Sequence, residues 1–392
     1  MSKARVTSTD CVQAASGKHH GTHAITPPIV HSAPFCFDDT KDLIDFMEGR
    51  SERRQAEYGR MTNPTVTAVE EKLAALEGAE KAQLFSSGMA AVTSLFFTLL
   101  RSGDHIILTS DSYRRTRDFG FFLGKFGVEM DIVDPSAEAI EAAVQRSTRL
   151  IFSEIPTNPY LHFIDLHAVV EIARKNDLLV VADSTFATPC NLKPLDIGVD
   201  LVIHSATKYL GGHNDLIAGV LAGPNKLVQP VTEMLMTLGA ICDPNTAFLL
   251  GRGLKTLGLR VAKQNASGQA VAEFLEEHPR IQRVYYPGLE SHPSHDLAKN
   301  LMHGYGGVVT FLVDGSFDET AKFIDNLKIP QIAPSLGGVD SLVEQVAIMS
   351  FWNLPKPERE ALGIPDNLVR LAIGIEEAED LIADLSQALK VE

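Results

Sequence analysis

The chain is short of the features that tie proteins to membranes, nucleic acids or the outside of cells. Its four cysteines (Cys11, Cys36, Cys190, Cys242) are scattered and form no CxxC pair. That excludes a disulfide framework and a cysteine zinc site, and it suits a reducing cytoplasm. No apolar run approaches the roughly 18 residues that a membrane span requires. Residues Met1 to Thr7 lack the apolar core of a signal peptide. Basic blocks are missing too: 35 Lys and Arg face 50 Asp and Glu, a formal net charge of −15. An acidic chain of this kind is not expected to hold nucleic acid or an anionic membrane surface as its main partner. Internal repeats and low-complexity segments are absent as well.

What is there is a long, apolar chain. Its 392 residues, 45% of them hydrophobic, exceed one ordinary domain and suffice for two with real cores. Residues 1–60 read as an extended N-terminal arm with one helical candidate near Lys41 to Glu48, packed on a neighbouring subunit. From Asn63 the pattern alternates between helices and short apolar strands. Strands are expected at Ala82–Phe85, His105–Thr109, Val128–Val133, Leu150–Ser153, Leu178–Ala182, Leu201–Ile203 and Ile217–Leu221. Such alternation predicts an α/β fold with a mostly parallel seven-stranded sheet covered on both faces, here over residues 61–255. Residues 256–392 read as a smaller C-terminal α+β domain, with strands at Val284–Tyr286, Val308–Val313 and Leu368–Ile373.

Chemistry gathers at the ends of these strands. Ser205-Ala-Thr-Lys208 follows the apolar run Leu201–Ile203, and Asp183-Ser-Thr185 follows Leu178–Ala182. Two buried parallel strands would deliver both groups to one place. A lysine preceded by two hydroxyls, near a carboxylate from another strand, is what pyridoxal 5'-phosphate (PLP) needs. Lys208 would form the Schiff base, Ser205 and Thr207 would hold the phosphate, and Asp183 would pair with the pyridine nitrogen. Gly211-Gly212 beside them leaves room for a ligand. Ser86-Ser-Gly88-Met89-Ala90 joins a strand to a helix, either as an anion-binding helix start or as a plain turn. Tyr113 sits past a strand end, where it can stack on a ring or simply pack. Arg114, Arg115 and Arg117 are a solvated face or a receptor for an anion. Arg370 lies inside a strand, at an outward-facing edge or as a clamp for a substrate carboxylate. His19, His20 and His23 have no Cys partner and no regular ligand spacing, so no metal is expected.

Together these motifs, with Tyr58-Gly-Arg60, Asn63-Pro-Thr65, Ser335-Leu-Gly-Gly338 and Val369 to Gly374, resemble the Cys/Met-metabolism family of fold-type I PLP enzymes. The resemblance runs over nearly the whole chain. It implies Lys208 as the Schiff-base lysine and proton shuttle, and Tyr113 as the stacking residue that helps deprotonate the incoming amine. It implies phosphate contacts from Gly88, Met89, Ser205 and Thr207, joined by Tyr58 and Arg60 from a neighbouring subunit. Arg370, Ser335 and Asn158 would hold the substrate carboxylate, and Arg117 the distal group. Family members are homotetramers built from active-site-sharing dimers, and they act on small amino acids. Stretches such as Ser112-Tyr-Arg-Arg-Thr-Arg117 and Glu154-Ile-Pro-Thr-Asn158 are similar to plant-type cystathionine γ-synthases. The implied reaction is γ-replacement on an O-activated L-homoserine by L-cysteine, giving L-cystathionine. Cystathionine γ-lyase and O-acylhomoserine sulfhydrylase are the alternatives. Asp340 stands where the family commonly has a glutamate linked to cysteine recognition, and Arg115 stands where methionine γ-lyases carry a cysteine.

Overall fold

A computed structural model of the protein describes residues 5–15, 24–51 and 56–390. Seven strands form the larger sheet: β1 Lys81–Phe85, β2 His105–Thr109, β3 Glu129–Val133, β4 Thr148–Glu154, β5 Leu179–Asp183, β6 Leu201–Ser205 and β7 Gly219–Gly223. Their order is β1-β7-β6-β5-β4-β2-β3, and within it only β7 runs against its neighbours. The near-continuous apolar runs are what a sheet buried on both faces requires. Alternate residues feed two separate cores: Ile107, Ile151, Val180 and Val202 pack on one face, and Ile106, Phe152, Val181 and Ile203 on the other.

The expected strands are all present, with ends shifted by one or two residues. The shifts matter at two places. Asp183 and Ser205 are the last residues of β5 and β6, so the ladder itself sets their positions. Ile217, expected within a strand, is 66% exposed, and β7 starts only at Gly219.

Five strands form the smaller sheet: β8 Ile281–Tyr285, β9 Val308–Val313, β10 Gln331–Ile332, β11 Leu342–Gln345 and β12 Leu368–Ala372, in the order β10-β11-β12-β9-β8. Sequence pattern misses β10 and β11, which are short and carry polar residues. Arg370 is therefore not on an edge: β12 lies between β11 and β9.

The Pro64–Glu77 helix starts as expected, with Asn63 as its cap and Pro64 in the first turn, and Gly78 in the left-handed region closes it. The N-terminal segment departs from an extended arm. Ser8–Gln13 is helical, held by a capping box between Thr7 and Asp10. Six residues are too few to show a helical period. Cys11 on this helix is fully buried, and Lys72 Nζ donates to the carbonyls of Cys11 (2.8 Å) and Val12 (3.1 Å). One apolar core runs from Val69 and Leu73 through Tyr209 to Phe311 and Leu371, joining both sheets. His19, His20 and His23 lie outside the described residues. Among the described residues no helix is long and apolar enough to cross a membrane.

Candidate active site

The carboxyl ends of β2, β4, β5 and β6 open on a cavity of about 330 Å³, where ligands bind in open parallel sheets. Lys208, Asp183, Tyr113, Asn158, Ser335 and Arg370 line it. So do Gly88, Met89, Ser205 and Thr207.

Lys208 lies in the turn after β6. Its Nζ donates to Ser335 Oγ at 2.7 Å. Burial, helped by the Arg370 cation, pushes the Lys208 amine down to about 8, while Glu344 opposes the shift. Ser335 is held at a φ of 102°, a conformation that costs a non-glycine residue of order 1–3 kcal/mol. Its position explains the strain: the hydroxyl meets Lys208 and the carbonyl accepts from Arg370 Nη2 at 3.0 Å.

Arg370 is buried, and both of its terminal nitrogens are engaged, while Nε has no partner. Nη1 donates to Asn158 Oδ1 at 3.1 Å, and Nη2 lies 3.2 Å from Glu344 Oε2. Glu344 is its Cα partner across β11 and β12. This carboxylate escaped the sequence reading because β11 shows no strand period. Burial pushes its carboxyl up, against the pull of Arg370 and Lys208.

Asp183 faces the cavity from the end of β5. It accepts from the Thr185 backbone N–H (3.0 Å) and hydroxyl (2.5 Å), and the same hydroxyl accepts from Ser205 N at 2.8 Å. Burial raises the Asp183 carboxyl despite these bonds. Glu154, its register partner on β4, is pushed well above the carboxylate range by burial, then by Asp183 and Asp111. Glu154 Oε2 is buried without a partner, while the carboxyl also accepts the Tyr113 backbone N–H. Glu154 could have been found by the logic that found Asp183, since it too ends an apolar run.

The helix Gly88–Leu99 points its N-terminus at this place, with Ser87 capping Ala90 N at 3.1 Å. A Cβ on Gly88 would lie 3.2 Å from Ser205 Cα and Cβ, and one on Gly219 would lie 2.1 Å from Ser87 O. Glycine at both positions keeps the cradle tight.

These residues fit PLP. A desolvated carboxyl with no ion-pair partner among the described residues would accept a protonated ring nitrogen. The helix start with two hydroxyls would accept a phosphate, and a desolvated amine would accept an aldehyde.

A second cavity, of about 630 Å³, adjoins the first and shares Tyr113, Asn158 and Glu344 with it. Arg114, Arg115 and Arg117 line it. Arg115 and Arg114 lie 3.1 and 4.0 Å from Asp118. Arg117 Nη1 donates to Ser110 O at 2.6 Å. Asp111 beside Arg117 is pushed up to about 6, chiefly by burial. Asp340 is not in the Lys208 cavity. It accepts from Asn214 at 3.0 Å and lines a third space, which shares Thr207 and Ser335 with the first. Tyr58 and Arg60 also stay away: Arg60 donates to Met236 O at 2.7 Å, and its guanidinium lies 5.5 Å from the Tyr58 ring.

Residues 8–390 match the Cys/Met metabolism PLP-dependent enzymes. The chain belongs to this family. It is 50% identical over 372 residues to cystathionine gamma-synthase 1, chloroplastic, of Arabidopsis thaliana, which covers 94% of this chain and 66% of that protein. Thus the chain spans about two thirds of that relative's length. It is 43% identical to cystathionine gamma-lyase of Bacillus subtilis, covering 85% of this chain and 88% of the relative. The crystal structure of metB from Corynebacterium glutamicum superposes with a TM-score of 0.90 at 37% identity, covering 97% of each chain. Membership makes PLP the cofactor and small amino acids the substrates.

Two outcomes are expected. Gly219→Ala forces Ser87 and Gly88 aside, so PLP affinity falls about tenfold or more, a cost of about 1.4 kcal/mol, in equilibrium dialysis of protein with unchanged circular dichroism. Secondly, cofactor capture needs the neutral Lys208 amine, whose fraction rises with pH. With the group near 8, the rate of PLP uptake by apoprotein should climb to about pH 8 and then level. A rate still climbing at pH 10, as for an ordinary lysine near 10.5, contradicts this.

Proposed function

We propose that the protein is a cystathionine γ-synthase, which replaces the γ-substituent of an O-activated L-homoserine by the thiol of L-cysteine and releases L-cystathionine. The observation that carries this reading is the arginine-lined cavity beside Lys208. A lyase acting on cystathionine alone needs no receptor for an acidic ester. A synthase using a succinyl or phosphoryl ester does. The 50% identity to a plant synthase supports the same choice.

Bound PLP supplies an electron sink that eases proton loss from carbons near the amine. The chain supplies the rest. Arg370, steadied by Glu344 and Asn158, holds the substrate α-carboxylate together with Ser335. The Lys208 amine, buried and near 8, takes and returns protons at Cα and Cβ close to neutrality. Tyr113 covers the ring and helps deprotonate the incoming amine. Asp183 keeps the ring nitrogen protonated. Gly88, Met89, Ser205 and Thr207 hold the phosphate. The arginine loop, with Arg117 at its inner end, reads the γ-substituent. Asp340 serves the thiol side.

Residues 61–255 form the cofactor-binding unit in this reading and 256–392 the C-terminal unit. Residues 1–60 contact a neighbouring subunit within a homotetramer. Tyr58 and Arg60 complete that neighbour's phosphate site, which agrees with their distance from the Lys208 cavity of their own chain and with the 44% exposure of Tyr58. Phe121 and Phe126, 66% and 53% exposed, offer apolar surface for such contacts. A cytoplasmic setting accords with four free thiols.

The decisive assay offers O-succinyl-, O-acetyl- and O-phospho-L-homoserine with cysteine, with sulfide and with no thiol, and cystathionine alone in parallel. Cystathionine from an acidic ester plus cysteine is expected, and Lys208→Ala should abolish it. Homocysteine from sulfide, or 2-oxobutyrate from cystathionine, as the faster product moves the protein to the sulfhydrylase or γ-lyase branch. For the shared site, Arg60→Ala and Lys208→Ala should each be inactive. Their mixture should regain up to about a quarter of wild-type activity, because random pairing of the two variants leaves one native site in about half of the dimers. No recovery after subunit exchange removes Arg60 from the neighbour's site.

A further inference from the structure

Away from the strand ends lies a third kind of site. The helices Pro64–Glu77 and Pro244–Leu254 meet closely, with Gly251 so near that an added Cβ would lie 3.0 Å from Val69. Beside this crossing is a cavity of about 270 Å³, room for about nine waters at ~30 Å³ each. Its walls are apolar at Pro27, Ala68, Val69 and Phe248, and its charged residues are Lys72, Arg252 and Lys255. No carboxylate lines it, and none of the three cations ion-pairs with a described residue. In a chain of net charge −15 such isolation is unusual.

Lys72 is only 8% exposed and spends its amine on two backbone carbonyls of the N-terminal helix. Burial lowers its proton affinity, and the Lys255 charge lowers it further. Arg252 and Lys255 complement the carboxyl end of the Pro244–Leu254 helix. That end role explains two of the cations, and Lys72 serves the last carbonyls of the Ser8–Gln13 helix, which leaves one of its three N–H donors for a ligand.

We infer that this cavity binds a small organic anion, a carboxylate or phosphate head held by Lys72, Arg252 and Lys255 with a short apolar tail against Val69 and Phe248. A bound anion offsets the mutual repulsion of the cations, and a planar guanidinium takes either head bidentately. The site is separate from the Lys208 cavity, with which it shares no lining residue, yet it connects to it. Gly253, on the same helix end, packs so tightly on Gly211 that a Cβ would lie 2.2 Å from its carbonyl. Arg260 bonds both Gly253 O (2.9 Å) and Tyr209 O (2.7 Å), the latter adjoining Lys208.

The test uses PLP-saturated protein at constant ionic strength, titrated separately with inorganic phosphate and with butyrate against chloride, reading thermal midpoint. A saturable rise with at least one probe is expected. Response to phosphate alone assigns phosphate-headed ligands, and response to butyrate alone assigns carboxylates. The double variant Arg252→Gln/Lys255→Gln, altered only at the exposed helix end, should raise the half-saturating concentration at least tenfold. Arg370→Ala should leave it as in the wild type. Equal half-saturation in wild type and double variant overturns the site. So does loss of the response in Arg370→Ala alone, which would put the anion in the Lys208 cavity, or no saturable rise with either probe.

Discussion

Arg370 is a cation buried in the middle of a sheet, and the arrangement of the two sheets follows from how it is paired. Leaving such a charge without its partner costs about 3–5 kcal/mol. Its partners come from separated parts of the chain: Glu344 on β11, Asn158 after β4, and Ser335 between β10 and β11. Ser335 passes the connection on to Lys208 after β6. The larger sheet thus presents its carboxyl ends to the smaller one through a shared polar network. That network makes the cavity a property of both halves. It also explains why Ser335 tolerates its strained backbone: two of its atoms are held at once, and relaxing the turn would release both.

The opposite wall has the reverse problem. Asp111, Glu154 and Asp183 follow or end adjacent strands β2, β4 and β5, and burial pushes each carboxyl up. Parallel strands with their ends in register place like charges side by side whenever each run closes on an acid. One resolution is protonation; another is a bound cation. A protonated ring nitrogen at Asp183 would relieve the wall where it opens on the cavity and lower the repulsion felt by Glu154. Cofactor binding and electrostatic relief are then the same event, and a protein without the cofactor should hold this wall under greater strain than the rest of the sheet.

The larger sheet was legible in the sequence because strands buried on both faces must be continuously apolar, and each ends where a polar residue begins. That same rule exposed Asp183, Ser205 and Lys208. It failed where the signal is not periodic. β11 is four residues long and carries Glu344 and Gln345, so neither the strand nor the partner of Arg370 could be read, and β12 was left open as an edge. The helix Ser8–Gln13 rests on a capping box and on tertiary burial of Cys11, neither of which shows in hydrophobic spacing. Asp340 was grouped with the substrate residues by resemblance, yet its side chain bonds Asn214 in a neighbouring space. Motifs report which residues sit near a site, while the direction of a side chain depends on turns whose geometry one sequence does not disclose.

In the proposed reading the two adjoining cavities divide the labour, one holding the cofactor and the other the γ-substituent. Lys208, Asp183, Ser205, Thr207 and Gly88, which would hold PLP, lie at or just past strand ends and at a helix start, where the sheet leaves little freedom. The 630 Å³ cavity is lined instead by the loop from Ser110 to Arg117 and by segments around Ser350 and Leu362, which the sheet does not constrain. Substitution in that loop would, in the proposed reading, change which γ-substituent fits. In this chain the loop carries three arginines but only Asp118 is within 4.0 Å as a surface counter-charge, while Asp111 behind Arg117 is held near 6. Asp111, Asp134 and Glu344 line the same cavity, so these cations are partly offset there. In the proposed reading the three arginines still favour an acidic ester over a neutral acyl ester, because only the acidic one brings a charge for a guanidinium to bind.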